Sequence, residues 1–151
     1  MEMKGEQLIP LPQEATWAAL NDTAVLKDCI PGCESIEETG KDEYALVMTA
    51  KVGPVQAKFK GRMTVRDADP PNRYTLVFEG QGGVAGFAKG EATVALSQQD
   101  PGTKLEYTAK AAIGGKLAQV GARLIDGVAK KLAGQFFEAF NKRASGGATA
   151  S

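Results

Sequence analysis

The sequence predicts an α+β domain in which a curved antiparallel sheet of about seven strands wraps around one long C-terminal helix, with two short helices after the first strand. Three observations carry this expectation. Apolar and polar residues alternate from Cys33 to Ile113, the period of half-buried strands. The turns between these runs are short, and a parallel pair would need a crossover of about a dozen residues, so consecutive strands must be antiparallel. After Lys116 the apolar period lengthens to three or four residues, which is helical.

Each element follows from its residues. Met3–Ile9 reads as a short strand. Pro12 opens a helix over PQEATWAALND, because proline is tolerated in the first turn, and Trp17 and Leu20 share a face. Asp22 or Thr23 caps a second short helix through Leu26 and Cys29, which Pro31-Gly32 ends. Glu43–Val52 alternates and turns at Gly53-Pro54. In Gln56–Arg66, Lys58, Lys60, Arg62 and Arg66 alternate with Ala57, Phe59, Met63 and Val65. After the break ADPPN at 68–72, Tyr74, Leu76 and Phe78 share one face. Glu91–Gln98 turns Ala92, Val94 and Leu96 inward, and beyond the turn at 100–102 Leu105, Tyr107, Ala109, Ala111 and Ile113 do the same. Finally Leu117, Val120, Leu124, Val128, Leu132, Phe136 and Phe140 mark one helix over Lys116–Arg143, roughly 42 Å long at 1.5 Å per residue. The domain is thus expected to span 1–143, followed by a small polar tail, 144–151, expected to be disordered.

Composition narrows the function. The chain has 151 residues and 15.9 kDa, enough for one domain with a real core. It contains no histidine, which excludes catalytic triads and dyads built on imidazole and removes the commonest zinc, haem and non-haem iron ligand. The N-terminal stretch lacks the pattern of a signal peptide, and no run approaches the roughly 18 apolar residues of a spanning helix. Cys29 and Cys33, spaced C-x3-C without a matching pair elsewhere, fit neither a redox motif nor a zinc site and read as reduced thiols. A cytoplasmic protein without a metal is expected. The 18 basic and 18 acidic residues balance, but residues 1–50 carry Lys4, Lys27 and Lys41 against ten carboxylates, and the remainder is correspondingly basic. Nucleic-acid binding is not expected, because the pI is near 6.3 and no aromatic residues interleave with the basic ones.

The inward faces suggest a container. They are almost wholly hydrocarbon, with only the hydroxyls of Tyr74 and Tyr107 offering polar contact. Small residues recur on them at Ala57, Gly61, Ala92, Ala109 and Ala111, and Gly121, Gly127 and Gly134 recur on the helix. These permit either close helix-to-sheet packing or a cavity. The expected cavity walls are Phe59, Met63, Tyr74, Leu76, Phe78, Leu96, Tyr107, Leu124, Val128 and Phe136, with Phe87 at the entrance. The segment GQGGVAGFAKG at 80–90 has five glycines but runs into a strand, which removes the context of a dinucleotide fingerprint. It reads as a glycine-rich hairpin at the sheet edge tipped by Val84 and Phe87.

The segments IPGCESIEE (30–38), KVGPVQAKFKG (51–61), DPPNRYTL (69–76), GGVAGFAKGEATVAL (82–96) and GGKLAQVGARLIDGVAKKLAGQFFEAF (114–140) together resemble the CoxG family of carbon monoxide dehydrogenase subunits. That resemblance implies the helix-grip fold of the START and birch-pollen-allergen superfamily. It also implies an accessory role beside a molybdenum-containing carbon monoxide dehydrogenase or related hydroxylase, linking it to the membrane and handling a quinone. It supplies no catalytic residues. No tightly bound cofactor is expected, and a quinone is the candidate ligand. Two other readings stay open: an assembly or docking factor with a filled core, and a small cyclase- or hydrolase-like enzyme. Lys58, Lys60, Arg62 and Arg66 on one strand, with Lys116, Arg123 and Lys130 at seven-residue spacing, would suit weak contact with an anionic membrane.

Overall fold

The structure is a computed structural model that describes residues 1–150, without the side chains of 145–150; its last helix runs on to Ala150, into the segment 144–151 expected as a tail. Seven strands, β1 (Glu2–Ile9), β2 (Cys33–Gly40), β3 (Glu43–Val52), β4 (Val55–Asp69), β5 (Arg73–Gln81), β6 (Phe87–Gln99) and β7 (Gly102–Gly114), form one sheet. Their order is β1-β7-β6-β5-β4-β3-β2, and every neighbouring pair is antiparallel. The fold class read from the sequence is the one observed.

Helices α1 (Gln13–Leu20) and α2 (Thr23–Cys29) carry the chain from one edge strand, β1, to the other, β2. Helix α1 begins directly after Pro12, whose carbonyl accepts from the Thr16 N–H at 2.9 Å. The Asp22 carboxylate caps α2 by accepting from the Ala24 N–H at 2.9 Å. Gly32, at φ +75°, then lets the chain run so close to Thr49 O that a side chain at this position would collide with the β3 backbone.

Two elements depart from the sequence reading. The expected single helix from Lys116 is broken: α3 (Lys116–Gln119) stops, and α4 (Ala122–Ala150) starts afresh. Gly121 makes the break at φ +97°, a conformation that interrupts the helical ladder and that side chains other than glycine resist. Lys116 therefore lies on a different helix from Arg123 and Lys130. The glycine-rich segment is also not an edge hairpin. It joins β5 to β6, both interior strands, through one 3-10 turn at Gly83–Ala85, and Gly80 and Gly90 are paired within the ladder.

The main core lies between the inner sheet face and the C-terminal half of α4, where Phe137 and Phe140 pack with Leu20, Val25, Tyr74, Leu96 and Leu105. A smaller cluster of Phe59, Ala85 and Leu117 closes the other end. Arg143 on α4 pairs with Asp28 on α2, an exposed ion pair whose contribution is small.

Candidate functional site

The inner face is set by strand alternation. In β4, Phe59, Met63 and Val65 are buried while Lys58, Lys60, Arg62 and Arg66 face solvent, as the sequence period requires. The cross-strand pairs Tyr44–Met63 and Met63–Phe78 continue that face over three strands.

Two apolar cavities lie side by side against this face. The first, about 280 Å³, is walled by the sheet residues Tyr44, Met63, Val65, Tyr74, Leu76, Val94, Leu105 and Tyr107, by Leu20 and Leu26 from the helix pair, and by Phe136 and Phe137 from α4. The second, about 380 Å³, is walled by Leu46, Met48, Ala50, Val52, Phe59 and Phe78 from the sheet, Leu117 from α3 and Leu132 from α4, and Arg62 and Glu79 also line it. Ile30, Met63 and Leu76 line both lobes. A larger trough of about 830 Å³ occupies the outer sheet face, but Arg62, Arg66, Glu79, Lys89, Glu91 and Lys110 line it, which makes it a charged, solvated surface.

No charged side chain lines the first lobe. Its polar groups are Asn21 and the phenols of Tyr44, Tyr74 and Tyr107. Burial pushes the Tyr74 phenol far above its ordinary value, with nearby Tyr44 adding to the shift. Burial also raises Tyr44, helped by the charges of Glu38 and Asp42. The phenols of Tyr44 and Tyr74 are therefore neutral at physiological pH. The Tyr107 ring stacks on Phe137 with centroids 5.6 Å apart and planes at 22°. Among the described residues, no cluster of three or more cysteine, aspartate or glutamate side chains is placed to hold a metal ion.

Of the walls expected from sequence, Met63, Tyr74, Leu76, Tyr107 and Phe136 meet in the first lobe, and Phe59 and Phe78 join Met63 and Leu76 in the second. Leu96 is buried in the main core but lines neither lobe, and Val128 is half-buried on α4 and lines neither. Leu124 is 39% exposed and rests on the β3–β4 turn instead. A strict four-residue step turns about 40° too far per step on a 3.6-residue helix, so Leu124 and Phe140 end up on nearly opposite sides. Phe87 is not at the entrance. It shares the outer face with Lys89 and Glu91, and its ring covers Gly114 across the ladder. Gly127 and Gly134 are exposed, with open space where a Cβ would stand, so neither shapes the cavity. Sequence reasoning missed Tyr44, although Tyr44, Leu46, Met48, Ala50 and Val52 alternate as clearly as the residues of β4 and β5. It also missed Phe137 and the helix-pair residues Leu20, Leu26 and Ile30, which reach the site only through tertiary packing.

A seven-stranded antiparallel sheet gripping a C-terminal helix over a divided apolar cavity defines a helix-grip protein with room for a hydrophobic ligand. Within that class, the chain belongs to the CoxG family of carbon monoxide dehydrogenase subunits, whose pattern it matches over residues 5–145. It is similar to a conserved protein from Geobacillus kaustophilus at 34% identity and a TM-score of 0.90, covering 96% of this chain and 95% of that one. It also shares its fold with the ZhuI aromatase/cyclase from Streptomyces sp. R1128, at 14% identity, TM-score 0.69 and coverage of 96% and 94%. The same holds for Ara h 8.0201, at 16% identity, TM-score 0.65 and coverage of 97% and 98%. No curated protein matches the sequence. Family and fold together support an accessory role that binds a hydrophobic ligand.

Proposed function

We propose that this protein is a non-enzymatic carrier that holds an apolar molecule, a quinone or comparable lipid, between the sheet and α4. It would serve a molybdenum-containing carbon monoxide dehydrogenase or related hydroxylase and link that enzyme to the membrane. The observation that carries the reading is the pair of adjoining lobes, about 280 and 380 Å³, with walls almost wholly of hydrocarbon. Membership of the CoxG family supplies the accessory role and the partner class. Among the described residues no helix is long and apolar enough to cross a bilayer.

The fold is shared with an aromatase/cyclase, which keeps an enzymatic reading in view. Against it stands the first lobe, which no carboxylate or lysine lines; Glu79 and Arg62 line only the second. Native mass spectrometry of protein purified from its own host, followed by organic extraction, tests the proposal. A co-purifying quinone or lipid is the expected result. Protein that is ligand-free and also binds no added quinone would favour the docking-factor reading.

A further inference from the structure

Besides Asn21 and Tyr107, two phenols stand in the largely hydrocarbon wall of the first lobe. Tyr44 on β3 and Tyr74 on β5 are 9% and 6% exposed, and both line the first lobe. Among the described residues neither hydroxyl has a hydrogen-bond partner, yet neither is sealed off, since the one enclosed polar side-chain atom left unbonded there is Asn141 Oδ1. Asn21, the other polar side chain of the lobe besides the tyrosines, already donates its amide to Trp17 O at 2.9 Å. The Tyr74 ring is held in place by Trp17, packed edge-on with centroids 5.1 Å apart.

Each hydroxyl keeps some accessible surface but has no protein partner, at a position where phenylalanine would present hydrocarbon alone. Two such groups in one cavity point to a partner that arrives with the ligand. A neutral phenol is a good donor, and a carbonyl oxygen has two lone pairs with which to receive donors. We propose that Tyr44 and Tyr74 form a carbonyl-recognition site, donating hydrogen bonds to a ketone or quinone oxygen of a molecule whose carbon skeleton fills the apolar lobe. This assignment rests on the hydrophobic-ligand reading above and adds to it the polar group that the ligand must carry.

The test uses two probes with one skeleton, 2-methylnaphthalene and 2-methyl-1,4-naphthoquinone, titrated by calorimetry into the wild type, Tyr44→Phe, Tyr74→Phe and the double variant. Each single change should weaken the quinone about threefold to tenfold, the range of one net hydrogen bond, and leave the hydrocarbon's affinity unchanged or improved. Thermal melts should show all variants folded. Quinone affinity that is unchanged in both single variants, or that falls in parallel with the hydrocarbon's, would overturn the carbonyl site while leaving the cavity reading intact. Failure of the wild type to bind either probe would overturn the hydrophobic-ligand reading, and the carbonyl site with it.

Discussion

Leu124 Cδ2 lies 2.6 Å from the point where a Cβ on Gly53 would stand. The first turn of α4 therefore rests on the β3–β4 turn, whose Gly53 adopts φ +60°. At the other end of the span, Phe140 is 1% exposed and fixed in the main core. Helix α4 is thus seated at both ends, and the two lobes lie beneath the stretch that carries Leu132, Ala133 and Phe136. The cavity exists because the helix is propped, not because the helix lacks side chains.

Cavity filling should follow from this geometry. Ala109 lines the first lobe, so Ala109→Leu should weaken 2-methylnaphthalene about tenfold or more, equivalent to ~1.4 kcal/mol. Gly127→Leu, on the open side of α4, should leave binding unaltered. Equal affinities for wild type and Ala109→Leu in calorimetry would place the ligand elsewhere.

The same exposed glycines make a stability prediction. Replacing Gly127 or Gly134 with alanine should stabilise the fold by about 0.5–1 kcal/mol each, because mid-helix glycine gives up more backbone entropy and no neighbour stands in the way. Phe140→Ala should cost about 3–5 kcal/mol, the range for deleting a buried aromatic ring. Urea denaturation midpoints would register both effects with opposite sign.

Tyr74 should make stability fall at alkaline pH. Its folded pKa lies above its unfolded value, so its contribution is fully present below the unfolded value, roughly 10, and is lost progressively above it as the unfolded chain sheds the proton first. Tyr44 is shifted in the same direction and adds to the slope. Melting temperatures between pH 8 and 11 for wild type and Tyr74→Phe should converge on a shallower decline in the variant. An unchanged slope would show that Tyr74 is not desolvated.

Cys29 is buried and Cys33 half-buried, and both are free thiols. Burial pushes each pKa up, opposed at Cys29 by Arg143 and at Cys33 chiefly by the Ser35 backbone. At neutral pH both should react with maleimide more slowly than free cysteine, Cys33 ahead of Cys29, and the double serine variant should still bind 2-methylnaphthalene. A disulfide that persists in reductant would contradict this.

Membrane contact should be weak and salt-sensitive. Lys58 pairs with Glu34 at 3.5 Å and Lys110 approaches Glu2 at 3.8 Å, so the basic face is partly neutralised from within. Val84, 86% exposed at the tip of the β5–β6 turn, remains an apolar contact point. Co-sedimentation with anionic vesicles should be measurable at low salt, fall when Lys58, Lys60 and Arg62 become glutamate, and vanish near 1 M salt, where screening reaches about 3 Å. No sedimentation at low salt would assign these residues to a protein partner or to solvation.

What the sequence determined by itself is the alternation. It gave each strand an inner and an outer face, and with short turns it left only an antiparallel sheet, so Phe59, Met63, Tyr74, Leu76, Phe78, Tyr107 and Phe136 could be placed on a common interior. Tyr44 was equally legible from the period of β3. The tertiary structure alone decided the rest. Where α4 begins depends on the backbone conformation of Gly121, which a continuous apolar period conceals. Which side of α4 faces the sheet depends on accumulated helical phase, so Phe137 is buried while Leu124 is not. The face that Phe87 occupies depends on where β6 starts within a run of glycines that carry no pattern of their own. Whether small residues leave a void depends on how high the helix is held, and that height is set by contacts such as Leu124 on Gly53, between residues far apart in the chain.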